Sequence, residues 1–301
     1  MAQAVANGNS ASDAAQVSES PRRRSLSRMA ASVARHALLI VVAIAFMLPF
    51  AWMVISSFKT TPKIFSVPIQ WIPDPFVWQN YFNVFYYPGF PFWRFLGNSI
   101  FYAGLTTVGT VLSCAAVGYG FARFRFPGRD LLFTLTLATL MIPAIVTFIP
   151  TFLLFKWFGL LGTYAPLILP RFFGDAFFIF MMRQFYMGLP NELADAARVD
   201  GAGDWRIFWQ IMLPLVRPAL IVMAVFTFLW TWHEFLGPLI YLSDKDLYPL
   251  SLGLFAFRAQ RTTEWALLMA GATLTTVPLV LIFFFSQRYF LEVIKMTGLK
   301  G

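Results

Sequence analysis

Long apolar runs, separated by short polar segments, constrain this chain more than any other feature. A helix needs about 20 apolar residues to cross the hydrocarbon core of a bilayer. Runs of that length cover residues 37–57, 95–121, 131–155, 167–187, 219–242 and 265–286. The sequence therefore predicts an all-α integral membrane protein with six transmembrane helices. The fourth run fits least well, because Pro166, Pro170, Arg171 and Asp175 interrupt its outer half; without it, the C-terminus would lie outside.

The composition excludes a soluble domain. Only 12% of the residues are charged, against roughly 25% in soluble domains. The formal net charge is +9, but the basic residues stand in short runs between apolar segments. Such runs fix the orientation of a protein in the membrane, so we do not expect nucleic-acid binding.

The distribution of Lys and Arg predicts that both termini lie in the cytoplasm. With the N-terminus inside, the inner segments hold the larger share of basic residues, including residues 22–24, Arg123, Arg125 and Arg198. Residues 1–30 carry few large apolar side chains and are predicted to form a disordered cytoplasmic tail. Residues 31–301 would form the transmembrane domain. Its first apolar run is too long for the core of a signal peptide and is predicted to be a retained helix.

No catalytic or metal-binding pattern stands out. The single cysteine, Cys114, lies in an apolar run, and the two histidines, His36 and His233, are far apart in sequence. The chain also has no Gly-x-x-x-x-Gly-Lys-Ser/Thr phosphate loop. We therefore expect no metal site, no cofactor bound by this chain and no enzymatic activity of the chain alone.

The sequence also contains a pattern of small residues that is typical of close helix packing. Gly109 and Ser113, then Cys114 and Gly118, are small residues four apart in the second run, a spacing that lets helices approach closely in lipid. No internal repeat is visible, so an inverted-repeat secondary transporter is not favoured.

The first outer loop, residues 58–94, is rich in proline and aromatic residues. It is either a docking surface for an external partner or, as we favour, an interfacial aromatic belt.

The longest inner loop covers residues 188–217 and is predicted to hold two short helices. Asn191 is placed to cap the first, Glu192 and Asp195 favour the positive end of its dipole, and Gly201 can end it. Asp204 is predicted to cap the second helix, which Pro214 stops.

The chemistry of the first inner helix predicts docking to another protein. Small side chains at Ala194, Ala196 and Ala197 permit close approach, and Leu193 could anchor in a pocket. The alternative is an amphipathic helix lying on lipid. That alternative is disfavoured because such helices carry Lys or Arg on the polar face, and this one is mainly acidic.

The same loop resembles the EAA loop of ABC-importer permeases. That pattern is Glu-Ala-Ala, a Gly four residues on, then nine residues before Ile-x-Leu-Pro. Asp195-Ala196-Ala197, Gly201 and Ile211-Met212-Leu213-Pro214 stand at these spacings. Aspartate replaces the usual glutamate, which keeps the charge and shortens the reach.

Other segments are similar to the carbohydrate-uptake branch, the maltose-transporter type of permease. They are Asn80-Tyr81 with Phe85, Asn98-Ser99, Arg183-Gln184-Phe185, Trp232-His233-Glu234-Phe235 with Pro238-Leu239, Gln287-Arg288-Tyr289-Phe290 and the closing Gly298-Leu299-Lys300-Gly301. The branch more often has Asn at the position of His233. The resemblance covers nearly everything after residue 35 and implies the type I ABC-importer permease fold.

The resemblance implies an ATP-driven importer of several subunits in a bacterial or archaeal plasma membrane. A second homologous permease, a cytoplasmic ATPase dimer that binds ATP and Mg²⁺, and an external solute-binding protein would be the partners, with a sugar as cargo. The loop of residues 188–217, called the coupling loop below, would seat its first helix in a cleft of the ATPase. The residues implied in ATPase coupling are Glu192, Leu193, Asp195, Ala196, Ala197, Asp200, Gly201, Leu213 and Pro214.

Polar residues at membrane depth are the candidates for the substrate path, because they are costly in lipid. Asp175 would lie about 12 Å from the outer start of its span, at 1.5 Å per residue. The other candidates are Trp230, Trp232, His233 and Glu234 in the outer half of the fifth span. Carboxylates would bind hydroxyl groups and indoles would stack on sugar rings. Structural roles are the alternative: Arg171 and Asp175, four apart on one helix, would pair, and Glu234 would cap or bridge helices.

Two alternatives for function stay open. The same architecture could carry another solute, such as glycerol phosphate or a polyamine; an anionic cargo predicts an arginine-lined path, for which Arg171 is the candidate. A secondary transporter that works without an ATPase would leave the acidic inner loop unexplained.

Overall fold

The computed structural model describes residues 21–259 and 263–298, and every regular element in these ranges is helical. The helices are α1 (Pro21–Ser57), α2 (Thr61–Ile64), α3 (Gln79–Tyr86), α4 (Phe92–Arg123), α5 (Arg129–Ala138), α6 (Ala144–Trp157), α7 (Ala165–Ile168), α8 (Ala176–Met187), α9 (Glu192–Val199), α10 (Asp204–Ile207), α11 (Leu213–Leu215), α12 (Arg217–His233), α13 (Leu236–Tyr241), α14 (Leu250–Arg258) and α15 (Trp265–Gly298). Short 3₁₀ turns occupy Thr139–Met141, Leu169–Phe173 and Lys245–Leu247, and a π-helical turn occupies Phe208–Met212.

The predicted spans are present, two of them as bent helix pairs. Ser32–Ser57, Phe92–Arg123, Ala165–Met187 and Trp265–Val293 are each long and apolar enough to cross a membrane. The pair Arg129–Met141 and Ala144–Trp157, and the pair Asp204–Leu215 and Arg217–His233, raise the number of spans to six if each counts as one. This architecture confirms the predicted all-α membrane fold.

Residues 21–52, the N-terminal part of α1, form a unit of their own, distinct from the unit that begins at Met53. Residues 1–20 of the predicted disordered tail lie outside the described part of the chain. Residues 21–30 of that tail lie within α1, which begins at Pro21. Proline suits the first helical position, since its fixed φ matches the helix and its missing N–H would have no partner there.

Proline explains where the third and fifth spans depart from single straight helices. The third span bends by 101° at residues 142–143, where Ile142 is extended (ψ 117°) before Pro143. The fifth span bends by 77°; Pro218, at the start of α12, has no N–H to donate to the Pro214 carbonyl.

The predicted helix over residues 219–242 is also interrupted near its end. α12 stops at His233, Glu234 is extended (ψ 128°), and α13 follows. Pro238 cannot donate a hydrogen bond to the Glu234 carbonyl, which instead accepts one from Ser251 Oγ at 2.7 Å. The freed carbonyl thus links the end of the fifth span to α14.

Helix α4 lies at the centre of residues 53–301 and packs along α8 and α12. A Cβ added at Gly109 would approach the Phe172 ring to 2.6 Å, and one added at Gly118 would approach Met182 Cβ to 2.7 Å. The small residues of α4 therefore allow close packing against the fourth span, as predicted. Cys114 is fully buried in the same interface, where it accepts the Asp175 N–H at 3.2 Å.

Candidate functional site

The first helix of the coupling loop, α9, is closed by a glycine turn at its C-terminal end. Gly201 has φ +80°, in the left-handed region. The Gly201 N–H donates to the Arg198 carbonyl at 3.0 Å, and the Ala202 N–H donates to the Ala197 carbonyl at 2.9 Å. This is the Schellman arrangement, in which two otherwise free carbonyls at the helix end are satisfied. The prediction that Gly201 ends the helix is confirmed.

The N-terminal end of α9 differs from the prediction. Asn191 stands at the N-cap position, but its side chain makes no capping hydrogen bond. Its backbone is in the helical region (φ −69°, ψ −30°) instead of the extended conformation typical of a capping residue. The Asn191 amide oxygen instead accepts a hydrogen bond from the Arg123 guanidinium at the end of α4.

Helix α9 has an inner and an outer face. Ala194 and Ala197, 5% and 8% exposed, pack into a core with Tyr119, Tyr186 and Met212. The opposite side exposes Ala196 and Val199, the latter at 88%, while Leu193, one turn before Ala197, is 40% exposed at the edge of the buried face. Sequence reasoning grouped Ala197 with the residues that meet a partner; the structure places it against its own chain, one turn from Ala194.

The charges of the coupling loop are partly paired within the chain. Arg198 donates to Asp195 at 3.0 Å and to Asp204 at 3.1 Å. These two carboxylates, Asp204 first, raise the pKa of the Arg198 guanidinium. The Arg198 bridge also ties α9 to α10 across the glycine turn. Glu192 and Asp200 are exposed, so the outward side of the loop keeps an acidic character.

The second helix of the coupling loop is longer than predicted. α10 begins at Asp204 with Gly203 as its N-cap, and Asp204 therefore does not cap it. The helix continues through the π-helical turn at Phe208–Met212 and through α11 as far as Leu215. Pro214 does not stop the helix, because it occupies the N-terminal turn of α11, where no N–H is required. Leu213 packs against the buried core, while Pro214 is exposed.

Asp175 caps helix α8 in the middle of the fourth span. Its Oδ1 accepts the N–H groups of Phe177 at 3.1 Å and Phe178 at 3.3 Å. Its Oδ2 pairs with Arg171 at 3.5 Å. The two residues do pair, but not on one helix, because Gly174 (φ +99°) separates the 3₁₀ turn from α8. The side chains of Arg171 and Asp175 remain 36% and 29% exposed.

Glu234 joins the fifth span to the second. Its carboxylate accepts a hydrogen bond from the Tyr102 hydroxyl, which is buried in α4. His233 is exposed beside it at the end of α12. Glu234 and Asp175 thus have different partners, and each connects or caps helices, as the structural alternative predicted.

The two tryptophans of the fifth span have opposite environments. Trp230 is 75% exposed, whereas Trp232 is 2% exposed. Trp232 stacks on Phe228 at 5.3 Å and donates its indole N–H to the Thr275 carbonyl of α15 at 3.2 Å. In this conformation Trp232 is thus packed inside the chain, while Trp230, two residues earlier in the helix, points to a different side.

Sequence reasoning missed three residues that matter here: Tyr102, Arg123 and Val199. Tyr102 and Arg123 act across more than 60 positions of sequence, on Glu234 and on Asn191, and no local pattern shows such contacts. Val199 did carry a signal: it follows Ala196 by three residues, so a helix places both on one face.

Comparison with known families places these features in a common architecture. The family described as "Binding-protein-dependent transport system inner membrane component" matches residues 109–294, more than half of the chain and all of the coupling loop.

Several relatives align along most of the chain. The arabinooligosaccharides transport system permease protein AraQ of Halalkalibacterium halodurans is 36% identical over 84% of this chain and 91% of its own length. The diacetylchitobiose uptake system permease protein NgcG of Streptomyces coelicolor is 35% identical over 87% of this chain and 89% of its own. The sn-glycerol-3-phosphate transport system permease protein UgpE of Yersinia enterocolitica is 34% identical over 85% and 93%.

Solved structures show the same fold. A chain of a bacterial ABC transporter involved in the import of the acidic polysaccharide alginate superposes with a TM-score of 0.79 at 21% identity, over 90% of this chain and 99% of that one. A chain of the alginate transporter in complex with its pentasaccharide-bound periplasmic protein gives 0.63 at 16% identity, over 89% and 98%. The protein is therefore a multi-pass membrane protein of the binding-protein-dependent inner membrane component family, a permease subunit of an ABC importer.

Proposed function

We propose that this chain is one permease half of an importer that moves a sugar by alternating access, powered by a separate ATPase. A second homologous permease would complete the path, a cytoplasmic ATPase dimer would bind and hydrolyse ATP with Mg²⁺, and an external binding protein would deliver the sugar. The membrane would be a bacterial or archaeal plasma membrane, with both termini of the chain in the cytoplasm. The chain itself would bind no cofactor.

The observation that carries this proposal is the outer face of α9. Ala196 and Val199 are exposed there and Leu193 is exposed at its edge, while the opposite face is fixed in the core of the same chain. A small helix that shows apolar side chains beside acidic ones, outside the apolar spans, fits a cleft in a partner protein. The Arg198 bridge to Asp204 would make α9 and α10 move together, and α10 belongs to the bent pair that forms the fifth span.

The charged residues at membrane depth support a path along the same chain. Arg171, Asp175 and Glu234 are all partly exposed. Ionised side chains are not expected to face lipid, because removing them from water costs several kcal/mol. We infer that these side chains face the second permease or the water-filled path. Trp230 and His233, near the end of α12, are exposed as well and would be available for contact with a solute.

A neutral sugar fits the path better than an anionic solute. Arg171, the candidate cation for an anionic cargo, is paired with Asp175, and Glu234 would repel an anion. Two of the relatives described above are named for oligosaccharide uptake. A third is named for glycerol 3-phosphate, so glycerol phosphate is the second candidate cargo.

The test is to tag this chain, solubilise the native membranes gently and identify the co-purifying proteins by mass spectrometry. We expect an ATPase with a phosphate-loop motif and a second six-span permease. The binding protein encoded or purified with them is then titrated with oligosaccharides and with glycerol 3-phosphate, and tighter binding of a sugar supports the proposed cargo. Recovery of the chain alone, with transport in liposomes lacking ATP, would mean a secondary transporter.

A further inference from the structure

Arg123, the last residue of α4, contacts the segment that leads into α9, the first helix of the coupling loop and called the coupling helix below. Its Nη2 donates to the Tyr186 carbonyl at 2.6 Å and to the Leu189 carbonyl at 2.8 Å. Its Nη1 donates to the Asn191 side chain, directly before α9. One guanidinium thus holds three acceptors spread over residues 186–191.

The chemistry of this contact suits arginine. Tyr186 lies in the last turn of α8, where carbonyls lack the N–H of a continuing helix and carry the negative end of the dipole; its carbonyl also accepts the Leu189 N–H at 3.2 Å. A planar guanidinium presents several N–H donors in a fixed fork, so it can bind acceptors on both sides of a turn at once. Lysine has a single ammonium group on a flexible stem and lacks this geometry.

The remainder of α4 links this contact to the interior of the membrane. One turn before Arg123, the Tyr119 ring packs against Tyr186 at 5.4 Å and against Phe208 at 5.0 Å. In the N-terminal half of α4, Tyr102 donates to Glu234. Tyr102 and Arg123 are roughly 30 Å apart along the helix, at 1.5 Å per residue.

We propose that Arg123 is a positioning residue that fixes the coupling helix to the second span. Through this contact a displacement of α9 moves α4 as well as α8 and α10, its neighbours in the chain. Helix α4 carries that displacement to the Tyr102–Glu234 contact at the end of the fifth span. The proposal rests on the proposed function, since it assumes that an ATPase displaces α9.

The measurement is the number of ATP molecules hydrolysed per sugar imported, in proteoliposomes that contain the purified complex and its loaded binding protein. A residue needed only for folding would lower the amount of complex but leave this ratio unchanged. Arg123→Gln is expected to raise the ratio about tenfold, the order that corresponds to losing charge-assisted hydrogen bonds. Arg123→Lys, which keeps the charge without the fork, is expected to give an intermediate ratio.

Arg125 supplies the matched control. It lies two residues further on, is exposed, and makes no hydrogen bond or ion pair within the described part of the chain. Arg125→Gln removes the same charge two residues beyond the end of α4 and is expected to leave the ratio unchanged.

If the complex that carries Arg123→Gln does not assemble, a second variant tests the same contact. Asn191→Ala removes one acceptor and leaves the charge, and it is expected to raise the ratio about threefold, as for one hydrogen bond. A wild-type ratio in the assembled variants, or an equal rise in Arg125→Gln, would overturn the role of Arg123. Failure of the wild-type complex to couple ATP hydrolysis to uptake would instead overturn the proposed function.

Discussion

At the scale of single residues, exposure distinguishes the two faces of α9 better than charge does. Val199 is 88% exposed, whereas Ala194 and Ala197 are buried against their own chain. Asp195, the acidic residue of the EAA-like pattern, already pairs with Arg198. We therefore expect Val199 and Leu193, more than Asp195, to supply the affinity for a partner, because covering exposed apolar surface is favourable.

Substitution of Val199 tests that assignment. Val199→Glu is expected to reduce recovery of the ATPase with the tagged chain by about tenfold or more, since an unpaired carboxylate is costly at a buried contact. Val67, 93% exposed in the first outer loop, is the control; the same change there should leave ATPase recovery unaltered. Full recovery with Val199→Glu would contradict docking by this face.

The direction of individual side chains was the least predictable part of the site. Gly201 could be placed from sequence because few residues other than glycine tolerate the left-handed turn. The orientation of Ala197 could not be predicted, since α9 has eight residues and alanine on both faces. The side chain of Asn191 is used by Arg123, which lies 68 positions away, so capping rules alone misassign it.

At the scale of elements, the glycine turn after α9 sets the direction in which the chain passes from α9 to α10. A Cβ added at Gly201 or at Gly203 would meet nothing within 4 Å, so only backbone conformation distinguishes these two sites. Gly201 has φ +80°, whereas Gly203 has φ −73°. The pair therefore isolates the role of the left-handed conformation.

Alanine at each of these glycines gives a direct test of the turn. Gly201→Ala should cost about 1–2 kcal/mol, the penalty of the left-handed region for an L-residue. We expect this cost to appear as weaker uptake and as faster proteolysis of the coupling loop, with Gly203→Ala close to wild type in both assays. Equal behaviour of the two variants would show that the Schellman turn is dispensable.

The packing of α4 against α8 gives a second element-scale prediction. Alanine at Gly118 would bring Cβ to 2.7 Å from Met182 Cβ and to 3.2 Å from the Arg183 nitrogen, whereas Gly104 in the same helix faces open space. Gly118→Ala is expected to destabilise the fold by about 1–3 kcal/mol, as overpacking does. Thermal denaturation of the solubilised complex should show a lower midpoint for Gly118→Ala and no decrease for Gly104→Ala.

At the scale of the whole molecule, hydropathy predicted where the apolar helices lie but not their breaks. The apolar length of a span follows from membrane thickness, so composition alone reveals it. A proline in a span does not by itself predict a break, because some prolines are accommodated within a continuous helix and others are not. Pro150 and Pro278 lie inside continuous helices, whereas Pro143 and Pro238 accompany breaks. Contacts between distant helices, such as that of Tyr102 with Glu234, decide whether a helix breaks at a proline or continues through it.

The most direct test of the account is sugar uptake by proteoliposomes that contain the complete purified complex. We expect accumulation of the sugar only when the loaded binding protein is on one side of the membrane and ATP is supplied to the ATPase on the other. Omission of ATP, or its replacement by a non-hydrolysable analogue, should abolish accumulation. Accumulation by this chain alone, without ATP or an ATPase, would contradict the assignment of the coupling loop and of the importer itself.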